Sequence, residues 1–274
     1  MDPIDTELAA LGAILVEERV LRRIIKGHRK LRGVGLQVPH GSSYTLPRAD
    51  LQALVEASDV GVELATLPER VVVVAGARDE LAAGAPEALS RLWRTIFHGH
   101  VHRAFDEKLA AKALTAAAIR ERVHRIGQTE FDEIRSVLAQ EDLLLPPVDD
   151  TTTYVEFVAL YLELACFAPT AIARTFPALF DTAHVDATIA LDVDPAALLE
   201  AARPARAPAR PLLAPSPSPT AARDAPRLAF ADPTAARAAA RARAKGNRSR
   251  AAILTARTGD LPTARADLDE LVAR

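Results

Sequence analysis

Between residues 203 and 233 proline recurs every few positions, in PARAPARPLLAPSPSPT and beyond, and glycine is absent. Proline fixes φ and donates no backbone hydrogen bond, so such a stretch suits neither a helix interior nor a central strand and extends as a semi-rigid, polyproline-like segment. A packed core therefore has to come from the residues before it. The sequence divides into a mainly helical body over residues 1–202, a Pro/Ala/Arg-rich linker over 203–232 expected to be disordered, and a basic helical segment over 233–274.

Charge follows the same division. Residues 203–250 hold eleven basic side chains against Asp224 and Asp232, a net of +9 in a chain whose total is −2, which leaves −11 for the rest. An acidic body joined to a basic tail is the expected arrangement. About half of the residues are apolar, enough for a sizeable core without staples. Cys166 is the sole cysteine and lies in the apolar run YVEFVALYLELACF. It has no disulfide partner in the chain, so it reads as a small buried hydrophobe in a reducing compartment. The first residues, MDPIDTELAALG, carry acid where a secretory signal needs positive charge, and the longest apolar run holds Glu156 and Glu163 and falls short of the roughly 20 residues that cross a bilayer. These features predict a cytoplasmic protein with no membrane partner. Heavy use of arginine and alanine fits a GC-rich bacterial genome.

Hydrophobic spacing predicts a mainly α fold, a helical bundle with a small β element near residues 33–76. Leu11, Ile14, Leu15, Leu21 and Ile25 suggest one amphipathic helix near 6–29, capped by Thr6. VGLQV, YTL and ERVVVVAG are short, β-branched and bounded by Gly, Pro and Ser, as strands are, with the helix PRADLQALVEAS among them. Pro86 opens a core helix with the stripe Leu89, Leu92, Trp93, Ile96, Phe97, Val101 and Ala104. Thr115 caps the next helix and Gly127 ends it; Thr129 with Asp132 suggests a capping box for the one after, with Phe131, Ile134, Val137 and Leu138 inward. Thr152 or Thr153 then begins the most apolar helix of the chain.

The last 28 or so residues resemble part of a tetratricopeptide-type repeat at Ala252, Leu254, the Gly259-Asp260 turn, Ala264 and Leu268. The usual aromatic positions and terminal proline of that repeat are missing. The resemblance implies protein or peptide binding, and with it a repeat array continuing in a longer protein of which this chain is the N-terminal part. In the tail, Arg237, Arg241, Arg243, Arg248 and Arg250 on an alanine-rich segment suit phosphate contacts, and so nucleic acid, or docking on an acidic partner or on the body itself. No aromatic residue is interleaved with them, which, with a pI below neutral, favours arginines that are solvated or docked on the acidic body over nucleic-acid binding.

Chemistry has few footholds. His98 and His102, in FHGHVHRAFDE, stand four apart, the spacing that lets two imidazoles share a metal. Gly99 sits where a zincin has its glutamate, which excludes that protease chemistry, and both histidines are expected on the solvated side of the helix. His100, on the apolar face, is expected to be a hydrogen-bonded core histidine. Glu18, Glu107, Glu156 and Glu163 fall at apolar positions, the last two seven apart and so on one helix face. Buried carboxylates need a cation, a proton or a metal. Ion pairing such as Arg103 with Glu107 is the ordinary explanation; a divalent metal held by His98, His102, Glu156 and Glu163 is the alternative, although the Glu-x-x-His of di-iron bundles is absent. No P-loop, dinucleotide fingerprint or nucleophile elbow is present, and HGSSYT offers only His40 beside Ser42 and Ser43. The sequence thus favours a non-catalytic interaction or scaffold module without a cofactor, ahead of a metal-binding enzyme or sensor and of nucleic-acid binding.

Overall fold

A computed structural model describes residues 2–30, 43–56, 59–144 and 148–213. The chain divides into two units, Met1–Ser216 and Pro217–Arg274, and the second lies outside the described residues. So do the expected strand VGLQV, the repeat-like segment and most of the linker. The part of that linker within view, residues 203–213, lies on the body: Ala207 is buried, Arg206 pairs with Glu7, and the Leu212 amide donates to Ser90 Oγ.

The body is mainly helical with a three-stranded sheet of order β1-β3-β2. β3 (Arg70–Ala75) is central, parallel to β1 (Ala13–Val16) and antiparallel to β2 (Ser43–Pro47). Its sequence is a run of four valines rather than an alternation because both faces are covered. Val71 and Val73, with Ile14 and Val16 of β1, meet the apolar side of α2 (Glu18–His28), namely Val20, Leu21, Ile24 and Ile25. Val72 and Val74, with Ala13 and Leu15, face the larger core around α5 (Pro86–Ala110).

Two of the expected boundaries are corrected here. The helix near 6–29 is three elements: α1 (Pro3–Ala10), β1 and α2. Gly12 adopts φ +70°, which breaks the helix, and AILV then finds a partner in β3 that no local propensity could announce. Asp2, not Thr6, caps α1, its side chain accepting from the Ile4 amide at 3.0 Å. The restart also changes the face of Glu18, which is exposed and paired with Arg22 rather than turned inward. The helix within PRADLQALVEAS is α3 (Arg48–Leu54), followed by the short α4 (Arg78–Ala82).

α5 crosses the sheet and packs along α8 (Asp150–Phe167), and α6 (Ala116–Ile126) and α7 (Gln128–Gln140) close the far side of α8. Thr115 caps α6 as expected, accepting from the Ala118 amide, and Gly127 ends it at φ +110°. α7 starts at once from Gly127, with no capping box; Gln128 donates instead to Asp132. α8 begins at Asp150 because Asp149, one turn before the expected threonines, accepts from the Thr152 amide at 2.7 Å. Phe131, Ile134 and Leu138 are buried. The short helices α9 (Ile172–Thr175), α10 (Thr182–Ile189) and α11 (Pro195–Ala201) finish the body, Trp93 Nε1 donating to the Leu199 carbonyl. Among the described residues no helix is long and apolar enough to cross a membrane.

Gly99 shows how α5 is seated. A Cβ there would stand 2.3 Å from Val72 Cγ1, and Thr45 Oγ1 donates to the Gly99 carbonyl at 3.2 Å. The missing side chain lets the helix axis approach the sheet, which brings the next turn of α5 beside β2.

Candidate metal centre

On α5, Arg94, His98, His102 and Asp106 recur every fourth residue and so form one ladder along the helix. On α8, Glu156 and Glu163 share a face. The α5–α8 packing lays the two stripes against each other. The expectation that His98 and His102 face solvent is thereby corrected: with the sheet on one side and α8 on another, His98 is only 6% exposed, and the His102 ring is largely covered. All four residues proposed from the sequence meet, in two roles.

Glu163 is a support. Its Oε2 accepts from His98 Nδ1 at 2.7 Å and its Oε1 from Arg94 Nε at 2.6 Å. Burial alone would raise its pKa, but the His98 ring and the Arg94 guanidinium outweigh that and hold the carboxyl below its ordinary value. An ionised carboxylate only accepts, so the proton on the shared bond belongs to His98 Nδ1, and Nε2 is the ring nitrogen left to face His102 and Glu156. That nitrogen lies 3.1 Å from His102 Nε2 and 3.7 Å from Glu156 Oε1, while His102 Nε2 lies 3.3 Å from Glu156 Oε2. His98, His102 and Glu156 thus converge, with one donor atom of each inside a 4.8 Å group.

The convergence opens onto a cavity of about 140 Å³ between β2, the end of α2, α5 and the first turn of α8. Tyr44 and Arg29 form its far wall. Arg29 Nε donates to Tyr44 Oη at 2.8 Å, which directs the tyrosine's own proton to His28 Nδ1 at 2.7 Å; His28 Nε2 in turn stands 3.4 Å from Asp50. Burial raises the Tyr44 pKa, against the pull of Arg29. Asp106, also in the wall, is raised by burial in spite of its 2.7 Å ion pair with Arg70.

Other candidates sit elsewhere. His100 is a core histidine, 1% exposed, bonded through Nε2 to the Leu11 carbonyl at 2.9 Å, and burial pushes its pKa down to about 4. Glu107 is exposed, not inward, and its Oε1 lies 3.9 Å from Arg103 Nε. Burial pushes the Cys166 thiol up to about 11, the opposite of an activated nucleophile. Ser43 lines the cavity, whereas His40, Ser42 and the tail arginines Arg237, Arg241, Arg243, Arg248 and Arg250 lie outside the described residues.

Sequence reasoning missed Arg94, Asp106, Tyr44 and Arg29. The first two continue the four-residue spacing of His98 and His102 and were findable by extending it. Tyr44 and Arg29 join the site only through the seating of α5 on the sheet. No protein-family model, no curated protein and no solved structure matches the chain, so the functional reading rests on this geometry.

Proposed function

We propose that this protein is a metalloprotein that binds one divalent transition-metal ion between His98 Nε2, His102 Nε2 and the Glu156 carboxylate. Spacing carries the reading. Ligand atoms about 2.0–2.1 Å from a tetrahedral ion stand roughly 3.3 Å from one another. The two ring nitrogens stand 3.1 Å apart, and the carboxylate turns one oxygen to each, Oε2 at 3.3 Å from His102 Nε2 and Oε1 at 3.7 Å from His98 Nε2, with one ligand atom of each residue inside a 4.8 Å group. The support set has the right chemistry as well. Glu163 on His98 Nδ1 fixes the tautomer that presents Nε2, as outer carboxylates do for metal-bound histidines, and Arg94 fixes Glu163.

Two imidazoles and one carboxylate suit zinc or iron(II). Structural zinc sites use four protein ligands, whereas three with an adjoining cavity leave coordination positions for water or substrate. Bound there, the ion would act as a Lewis acid toward whatever enters. This favours a metal-dependent enzyme or sensor over the scaffold role. Partner docking and nucleic-acid contact through the tail draw their support from the amino-acid sequence alone.

Elemental analysis of protein purified without chelator tests the proposal. The expected result is about one ion per chain, lost in His98→Ala with His102→Ala and in Glu156→Gln while the fold, read by circular dichroism, persists. Wild-type protein that carries no metal and takes up neither Zn²⁺, Fe²⁺ nor Co²⁺ overturns it.

A further inference from the structure

The wall of the cavity opposite α8 has its own chemistry. Arg29 follows the last turn of α2 and is exposed. Its Nε is committed to Tyr44, and among the described residues its two terminal nitrogens have no hydrogen bond and form no ion pair, although its charge is felt at Asp106 in the same cavity wall. The other basic residues near the site are matched: Arg94 by Glu163 and Arg70 by Asp106. A guanidinium with a free edge on a small cavity is a receptor for a planar oxyanion, which it meets with two parallel N–H donors.

Charge balance points the same way. Arg29 and Arg70 against Asp106 and Glu156 leave the walls neutral while the histidines are neutral. A divalent ion at His98, His102 and Glu156 adds two positive charges, which a ligand has to answer. The remaining lining mixes apolar Leu109 and Val155 with the hydroxyl residues Thr151 and Thr152, so a carbon skeleton has surface to cover. The volume, about 140 Å³, is well below the 300 Å³ or so at which pockets for drug-sized molecules begin.

Building on the metal reading, we propose that the cavity binds a small organic acid, with one carboxylate against Arg29, which Tyr44 holds in place, and a second oxygen function on the metal. Tyr44 is then a positioning residue. The Asp50–His28 pair orients its hydroxyl, and Arg29 couples it to the bound acid.

Cobalt(II)-loaded protein, whose visible absorption responds to its ligands, provides the test, with malonate, acetate and inorganic phosphate as probes. Malonate is expected to shift the spectrum saturably. Arg29→Gln is expected to weaken malonate about tenfold or more, the worth of a charge-assisted hydrogen bond, with cobalt stoichiometry and acetate binding unchanged because acetate has no second carboxylate. Tyr44→Phe should weaken malonate less. Equal malonate affinity in wild type and Arg29→Gln, no spectral response to malonate, or tighter binding of phosphate than of malonate would each overturn the organic-acid assignment while the metal site stands. Failure of wild type to take up cobalt removes the metal reading and this one with it.

Discussion

Two of the places where α8 buries polar groups are built differently. Near its start Tyr154 donates to Asp192 at 2.8 Å, and Arg122 adds two more donors to the same carboxylate at 3.1 and 3.2 Å. Asp192 is 4% exposed, and every contact there joins a donor to an acceptor. Burial drives the Tyr154 pKa upward, as the phenol stays neutral beside an anion. One helical face away, Glu156 meets two ring nitrogens, His98 Nε2 and His102 Nε2, that stand 3.1 Å from each other. A closed set of donors and acceptors holds α6, α8 and the segment after α10 together. A set of three converging ligand atoms is suited to a cation, and its tautomer is fixed from outside by Glu163 and Arg94.

Substitutions can break or sharpen that contrast. The largest expected effect is Arg122→Ala, which strands a buried carboxylate and should cost about 3–5 kcal/mol in denaturant unfolding while leaving metal uptake per folded chain unchanged. Parallel loss of stability and metal affinity would show that the two clusters form one unit. Next, Glu163→Gln keeps the shape but weakens the hold on His98, and a ten- to hundredfold loss of Zn²⁺ affinity by competition titration is expected, the usual effect of removing an outer carboxylate. An unchanged affinity would demote Glu163 to a simple ion pair with Arg94.

The smallest effect at neutral pH concerns His100, which lies on neither side of the comparison. Its folded-state pKa is about 4 against an ordinary 6.5, so between these values the unfolded chain binds a proton that the folded one refuses. Stability contributed by the neutral ring is complete above pH 6.5 and falls as the pH drops toward 4, by at most about 1.4 kcal/mol per unit. His100→Gln should flatten that part of the stability–pH curve. If the slope survives the substitution, another group is its source.

Fold class was legible because the helices after residue 86 carry long apolar stripes, and the valine run marks a strand whatever its neighbours. β1 was not legible: Ala13–Val16 satisfies a helix period as well as a strand, and its pairing with Val72–Ala75 spans some sixty residues. The candidate site was half written in the sequence. Spacings of four on one helix and seven on another align residues within each, but nothing local says that the two faces meet, nor that a sheet turns the supposed solvent side of α5 into an interior. Tyr44 and Arg29 carried no spacing signal, because they reach the cavity from elements whose contact with α5 is purely tertiary.

Gly99 bears on how this site can change. The position after His98 points at Val72, so a glutamate introduced there would have to displace the sheet before it could reach a substrate. A single codon change therefore cannot convert the helix into a His-Glu-x-x-His protease. Any proton-transfer group must be recruited from β2 or from further along α5, and a designer wishing to retask the scaffold should vary the cavity wall around Tyr44 and Asp106 rather than the stretch between the two histidines.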